Sequence, residues 1–261
     1  MCPIAAIRAD PGMTFRVRLL TESDPPDAFP DPAGARAVLG YPDGLIAIGG
    51  DLSLPRLLEA YRRGIFPWYN EDQPVLWWSP DPRAVIDPHL FHMSRSLARE
   101  LRAGQWSYSL NQAFDQVIDG CATSRGKHGT WITPAMREAY IRMHRSGYAH
   151  SVESWYEGRL AGGIYGVRLG RCFFGESMFS RVTSGSKVAI SGLVAICLGT
   201  GIDLLDCQLP SEHLRSLGMS EMPRTEFLRW LSTGAQDASP LTAWHFAARP
   251  AAELAKLRYP A

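Results

Sequence analysis

GGIYGVRLGRCFFGESMFSRVTSGSKVAISGLVAICLGTGIDLLDCQL, residues 162–209, holds the alternation from which the fold is read. GGIYGV and CFFGESMFS are short runs of aromatic and apolar residues. RLGR joins them, with Gly170 where a tight turn needs positive φ, so the pair predicts a hairpin. SGSKVAISGLVAICLG is a longer apolar run with Ser184 or Ser186 as N-cap and Gly199 as stop, which predicts a helix. IDLLDCQL returns to the length of a strand. Strand, helix and strand make a crossover, so the strands flanking the helix are expected to run parallel in one sheet. Glu176, Asp206 and Gln208 then stand as polar groups in apolar strands. Such groups are costly unless paired or used, which makes these three the first candidates for chemistry. On a strand, Asp206 and Gln208 are two residues apart and share a face.

A chain of 261 residues can bury a sizeable core in one large domain or two smaller ones. Its 27 basic and 26 acidic residues nearly cancel, so any nucleic-acid contact must come from a local patch. The five cysteines (Cys2, Cys121, Cys172, Cys197, Cys207) are odd in number and lack zinc-ligand spacing, which fits a reduced, cytoplasmic protein. No apolar run approaches the ~20 residues of a membrane span, and MCPIAAIRAD is too short and too soon charged for a signal peptide.

Upstream, the first dozen residues read as a frayed extension. GLIAIGG (Gly44 to Gly50) predicts a strand. Ser53 caps a helix with Leu54, Leu57, Leu58 and Tyr61 on one face and Gly64 as stop. GIFPWYNEDQPVLWWSPDPRAVI reads as a loop carrying Trp68, Trp77 and Trp78. In HMSRSLARELRAG, Arg95, Arg99 and Arg102 fall within a narrow helical arc, with Leu97 and Leu101 opposite; this is either a solvated face or a phosphate-contacting ridge. A helix from Asn111 places Phe114, Val117, Ile118 and Cys121 inward. SRGKHGTWI is a basic loop delivering Trp131, Thr133 caps a helix ending at Gly147, and AHSVESWYEGRL opens a meander turning at Glu157 and Gly158. RTEFLRWL is a last helix, and the end of the chain gives weak signals. The expected division is an N-terminal part, residues 1–106, and a mixed α/β part, residues 107–261.

Taken in order, GLIAIGGDLS, AYRRGIFPW, LWWSPDPR, SRSL, GTWIT, AHSVE, GGIYGV, FFGESMFS, Ser186–Lys187, LLDCQ and HLRSLG resemble the bacterial leucyl/phenylalanyl-tRNA–protein transferases from about Gly44 to Leu231. The resemblance implies an α/β (α+β) protein whose C-terminal domain is of the GCN5-related acyltransferase (GNAT) type, preceded by a smaller α/β domain. It implies transfer of Leu or Phe, and also Met, from aminoacyl-tRNA to proteins beginning with Arg or Lys, marking them for N-end rule degradation. Such a protein is expected to be a cytoplasmic monomer. An aminoacyl ester is already activated, so no metal or other cofactor is expected, and the sequence holds no phosphate-binding GxxxxGK[ST] loop. What the reaction needs is a neutral amine beside the ester and stabilisation of the carbonyl oxygen.

By the same resemblance Asp206 and Gln208 are tied to catalysis. Asp206 could hold the Gln208 amide so that its carbonyl oxygen meets the amine; alternatively both only position substrate and the tRNA 2′-hydroxyl moves the proton. Glu176 belongs to the aminoacyl site, where an ordinary Glu is better suited to hold an ammonium than to act as base. Phe173, Met178 and Cys197 fall at the donor side-chain pocket, the last in place of an aromatic residue. Trp68 and Trp131 fall beside the 3′-terminal adenosine. Arg95, Arg99 and Arg102 fall at the tRNA acceptor stem, with Ala98 departing from a commonly basic position. The rivals are a CoA-dependent acyltransferase, disfavoured because SRVTSGSK has a single glycine for a pyrophosphate loop; a serine hydrolase built on Ser177; and a non-catalytic tRNA-binding module.

Overall fold

The computed structural model describes residues 16–37, 41, 43–124 and 131–256. The expected frayed start and most of the basic loop before Trp131 lie outside the described residues. In chain order the elements are β1 (Arg18–Leu20), β2 (Leu45–Gly49), α1 (Leu54–Arg62), β3 (Phe66–Pro67), β4 (Leu76–Trp78), β5 (Arg83–Ile86), α2 (Arg95–Arg102), β6 (Trp106–Leu110), α3 (Phe114–Thr123), α4 (Pro134–Arg145), β7 (Ala149–Tyr156), β8 (Arg159–Leu169), β9 (Cys172–Ser180), α5 (Gly185–Thr200), β10 (Leu204–Gln208), α6 (Glu212–Arg215), β11 (Ser220–Met222), α7 (Arg224–Gly234) and β12 (Phe246–Pro250). They form a mixed α/β protein with two sheets. The smaller has the order β1-β2-β4-β3, and the larger β11-β5-β10-β9-β8-β7-β6-β12.

The hairpin and crossover expected from residues 162–209 are both present. β8 and β9 pair antiparallel from Leu169 opposite Cys172 out to Gly162 opposite Ser180, and Gly170 takes φ 54° in the turn. β10 runs parallel to β9, with Leu204, Leu205 and Asp206 opposite Cys172, Phe173 and Phe174. The helix between them ends at Gly201, not Gly199. Gly201 is the residue in the left-handed conformation, and its N–H closes onto the Cys197 carbonyl.

Alternation along β9 splits its side chains between two cores. Phe174 joins an apolar cluster with α1, α3, α4 and the small sheet; Phe173 joins another with α5 and α2. The large sheet is therefore covered on both faces, as a strand with two consecutive buried Phe residues requires.

Two further expectations change. The segment from Gly64 to Ile86 is not a loop but contains β3, β4 and β5, strands of two to four residues whose period is too short to read between prolines. Its rings are used for packing: Trp77 and Trp78 are buried, and Trp77 Nε1–H donates to the Gly49 carbonyl at 2.9 Å. The next helix starts at Phe114 and not at Asn111, because Asn111 has φ 57° and its side-chain oxygen accepts the Ser151 N–H at 2.8 Å. β6 and β12, which gave no usable signal, pair with each other and extend the large sheet beyond β7. β5 and α2 precede residue 107, yet β5 sits inside the large sheet and the small sheet ends at Trp78.

Candidate active site

Two strand ends that part company create the site. The parallel pairing of β9 with β10 reaches Phe174 opposite Asp206 and goes no further. Beyond it the β10–β5 register shifts between Asp206 and Gln208, and Gln208 takes φ 59°, a conformation rarely adopted outside Gly, Asn and Asp. Between the diverging ends lies a cavity of about 330 Å³, bordered by Gly175, Glu176 and Met178 of β9 and by Cys207 and Gln208 of β10. Ile164, Ile190 and Leu214 supply apolar wall, and Trp68 and Trp131 stand at it from the β3 side and the start of α4.

The bulge breaks the period-two rule at this point. Asp206 is fully buried, whereas both Cys207 and Gln208 line the cavity. Asp206 is therefore not on the cavity wall beside Gln208. It is bound on both oxygens by a residue that carries no local signal in the sequence, Arg83 of β5: Nε lies 2.7 Å from Oδ1 and Nη2 2.6 Å from Oδ2. Its link to Gln208 runs through the backbone, since Gln208 N–H donates to Asp206 Oδ1 at 3.0 Å. The Gln208 side chain turns the other way, and its Nε2 donates to Glu176 Oε1 at 3.2 Å.

Glu176 has further partners that the sequence does not announce. The Tyr61 hydroxyl of α1 donates to Oε1 and the Tyr140 hydroxyl of α4 meets Oε2, each at 2.8 Å, and the two hydroxyl oxygens are 2.5 Å apart. By its period Tyr61 is one apolar position of an amphipathic helix; the stripe is legible, its phenol's partner is not. Burial pushes the Glu176 carboxyl up to about 7, against the hydrogen bonds from Tyr61 and Tyr140, and the nearby Asp206 charge adds to the rise. The premise of an ordinary, fully ionised Glu at this position does not hold. Burial, with the charge of Glu176, likewise holds Tyr61 and Tyr140 well above the usual phenol range.

The remaining candidates fall in three places. Met178, Trp68 and Trp131 line the cavity with Glu176 and Gln208. Phe173 and Cys197 do not line it; both are buried in the apolar cluster behind its wall, which also contains Ile164 and Ile190. Arg95, Arg99 and Arg102 are exposed along α2, away from Leu97 and Leu101, which are buried. Glu100 fixes this helix beside the start of α5, accepting from Trp106 Nε1 at 3.0 Å and from the Ser184 hydroxyl at 2.8 Å. Ser177 lies within β9 and not at a strand-to-helix turn, so the geometry of a hydrolase nucleophile elbow is missing. Among the described residues no group of His, Cys, Asp and Glu could hold a metal ion, and no helix is long and apolar enough to cross a membrane.

Comparison with known proteins supplies the family. The profile described as leucyl/phenylalanyl-tRNA protein transferase matches residues 85–232, and that of the same family's N-terminal domain matches residues 50–81. The leucyl/phenylalanyl-tRNA–protein transferase of Anaeromyxobacter dehalogenans is 50% identical over 223 residues, 85% of this chain and 94% of that protein. The protein of the same name from Methylococcus capsulatus is 48% identical over 233 residues, 88% of this chain and 98% of that one. Among solved structures, L-PGS from Bacillus licheniformis overlays with a TM-score of 0.39 at 10% identity, covering 66% of this chain and 57% of that one, too remote a likeness to assign a fold. Both profiles fall in sequence order along the described strands and helices, and two relatives align over nearly their whole length, so the chain belongs to the leucyl/phenylalanyl-tRNA–protein transferase family.

Proposed function

We propose that this chain moves a leucyl or phenylalanyl group from its tRNA ester to the α-amine of a protein, and that the transfer takes place in the cavity beside Glu176 and Gln208. The observation that carries the proposal is the cavity itself: apolar on the Ile164, Met178, Ile190 and Leu214 side, polar where Glu176 meets Gln208, and bordered by Trp68 and Trp131. Its volume, about 330 Å³, is at the small end of ligand pockets, which span roughly 300–1,000 Å³. That suits one amino-acid side chain with its ester.

In this reading Leu, Phe or Met of the donor lies against Met178, with Phe173 and Cys197 packed behind the wall and giving it shape. A branched β-carbon next to the ester meets the wall first. Trp68 and Trp131 stack the terminal adenosine, and Arg95, Arg99 and Arg102 meet the phosphates of the acceptor stem. Gln208, held by its backbone to Asp206 and by its side-chain Nε2–H to Glu176, keeps its carbonyl oxygen for an N–H of the incoming amine. The half-buried carboxyl of Glu176, when ionised, favours cationic acceptors, in line with N-terminal Arg or Lys; the same reading makes the chain a cytoplasmic, monomeric enzyme of N-end rule degradation. The parallel β9–β10 pair in an otherwise antiparallel sheet, opening at a bulge, supports the GNAT-type assignment of the larger sheet. Sheet membership favours dividing the chain near residues 79–82 over residue 107.

The start of α5 speaks against CoA. A pyrophosphate needs open backbone amides there, but the Ser186 N–H is taken by Ser180 Oγ at 2.7 Å and the Gly185 N–H by the Val182 carbonyl at 2.9 Å. Gly185 also presses on β8, where a Cβ on it would stand 2.5 Å from the Ala161 oxygen. The decisive experiment incubates the purified chain with radiolabelled Leu-tRNA and peptides beginning with Arg, Lys or Ala. Label on the first two alone is expected. Equal label on the Ala peptide would remove the acceptor preference, and tRNA binding without any label would leave only a binding module.

A further inference from the structure

The oxygens around Glu176 require one hydrogen more than an ionised carboxylate leaves them. Oε1 meets the Tyr61 hydroxyl, Oε2 meets the Tyr140 hydroxyl, and the two hydroxyls meet each other, at 2.8, 2.8 and 2.5 Å. Three O···O links closed in a ring need three hydrogens, and two phenols bring two. With Glu176 ionised, one link sets two oxygens at hydrogen-bond distance with nothing between them. A third hydrogen on the carboxyl completes the ring: Oε2–H donates to Tyr140, Tyr140 to Tyr61, and Tyr61 to Oε1. The Gln208 Nε2–H then takes a remaining lone pair of Oε1.

The ring sits among groups from every element packed on it. Tyr61 comes from α1, Tyr140 from α4 and Tyr165 from β8, while Arg83 of β5 and Asp206 of β10 form a buried pair alongside. Burial resists the ionised form of the carboxyl, the Asp206 charge resists it further, and Arg83 and the two phenols favour it. The outcome is a carboxyl that changes charge close to the range in which an N-terminal amine does, about 7.7–8.0.

We propose that Glu176 is the residue that exchanges protons with the reaction, and that Tyr61 and Tyr140 are positioning residues that hold its proton between steps. The proposal rests on the cavity being the aminoacyl-transfer site. Glu176, ionised, takes a proton from the acceptor ammonium, leaving a neutral amine. The amine nitrogen attacks the ester carbonyl carbon, so the C–N bond forms and the C–O bond to the ribose breaks. Glu176 passes its proton to the departing ribose oxygen and takes the second nitrogen proton in its place. The ring ends loaded, and one proton leaves to solvent for each amide made. Gln208 orients the amine and carries no proton.

Two readouts test this separately. Carbon-13 carboxyl NMR of glutamate-labelled protein, with the Glu176 signal identified by its loss in Glu176→Gln, is expected to show a midpoint about 7 that moves upward in Tyr61→Phe and in Tyr140→Phe, since each removes a donor to the carboxylate. A midpoint in the ordinary carboxyl range in the wild-type protein overturns the ring. Single-turnover transfer from Leu-tRNA to an Arg-peptide is expected to fall by ~10²-fold or more in Glu176→Gln, the ordinary size of a general acid–base contribution. In Tyr140→Phe the rising limb of its pH profile is expected to move to higher pH, with the plateau largely kept; a merely structural phenol would lower the plateau without moving the limb. A Glu176→Gln protein whose pH profile superimposes on the wild type overturns the proton-transfer role. A wild-type protein that titrates about 7 yet transfers no label overturns that role together with the function proposed above, and leaves the ring standing.

Discussion

Arg83 and Asp206 meet fork to carboxylate across β5 and β10, with Nε 2.7 Å from Oδ1, Nη2 2.6 Å from Oδ2 and both residues fully buried. The guanidinium is also sandwiched between the rings of Phe66 and Phe227, 4.9 and 4.6 Å from their centroids, and donates to the Gly64 carbonyl at 3.1 Å. One ion pair thus ties the chain entering the site, the turn after α1 and the last helix to the bulge that turns Gln208. Removing one partner leaves the other charge buried and unpaired, which costs about 3–5 kcal/mol.

The first prediction follows from that asymmetry. Asp206→Ala is expected to lose about 3–5 kcal/mol in urea unfolding, whereas Arg83→Met with Asp206→Leu recovers most of the loss, because apolar replacement of a buried pair is often neutral. Transfer activity is expected to stay low in both, since neither restores the acceptor for the Gln208 N–H. A double variant that regains full transfer would show that Asp206 matters only through folding.

Met178 lines the cavity wall with Gly175 beside it, so Met178→Trp is expected to fill the cavity. Transfer of Phe should fall more than transfer of Leu, while binding of uncharged tRNA is retained. Overpacking costs about 1–3 kcal/mol when it strains a core, so a melting curve accompanies the assay. Equal loss of transfer and tRNA binding would point to misfolding.

Trp68 is 37% exposed, yet its backbone oxygen accepts the buried Trp78 Nε1–H at 2.7 Å and its ring lies edge-on to Trp78 at 5.9 Å. A large ring held rigidly at a cavity mouth is prepared to stack. Trp68→Ala is expected to weaken binding of aminoacyl-adenosine by about 1–3 kcal/mol with little change in melting temperature, because the backbone bond survives the substitution. Unchanged affinity would make Trp68 a loop anchor only.

What can be read in the sequence is what depends on local period. The hairpin at Gly170, the parallel crossover over α5 and the amphipathic faces of α1, α2 and α3 each follow from residues a few positions apart. Glu176 and Gln208 are visible as polar residues in apolar strands. Arg83, Tyr61 and Tyr140 are not, because their partners are 123, 115 and 36 residues away and nothing local marks an Arg or Tyr as the mate of a distant carboxyl. The shared face expected of Asp206 and Gln208 fails for a related reason: a bulge is set by pairing with β5, and the period of β10 alone cannot report it.

The arginines of α2 give a prediction that separates electrostatics from the cavity. Arg95, Arg99 and Arg102 are exposed on one face, and none is held in an ion pair among the described residues. Each phosphate that a removed arginine no longer neutralises lowers the slope of log affinity against log salt by about 0.7 to 0.9. Arg95→Ala with Arg99→Ala is expected to weaken tRNA binding and flatten that slope by roughly twice this amount, while transfer from aminoacyl-adenosine is unaffected. A slope equal to the wild type's would leave these side chains a solvated face.

Glu176 and His150 set opposite pH dependences of stability. Glu176 titrates at about 7 in the folded chain against an ordinary 4.5, so between those values the native state holds the extra proton and stability falls as pH rises. His150 is buried with Nε2 unpartnered among the described residues; its Nδ1 meets Asn111 Nδ2 at 2.8 Å and its ring lies edge-on to Trp244. Burial pushes it down to about 3 from 6.5, with the charges of His144 and Arg168 adding to the fall, so it stays neutral while the unfolded chain protonates, and stability falls as pH drops through that window. Between 4.5 and 6.5 the two slopes oppose each other, each close to 1.4 kcal/mol per pH unit. Urea unfolding at intervals across this range should therefore show Glu176→Gln gaining stability over the wild type as pH rises, and His150→Gln losing its relative standing over the same interval. The double variant should run parallel to the wild type there and diverge from it outside that window, above 6.5, where the Glu176 slope alone continues to about 7, and below 4.5, where the His150 slope alone continues to about 3. A Glu176→Gln curve parallel to the wild type throughout would mean that the carboxyl is already ionised in the folded chain at pH 5, and the ring with Tyr61 and Tyr140 would then hold two hydrogens and not three.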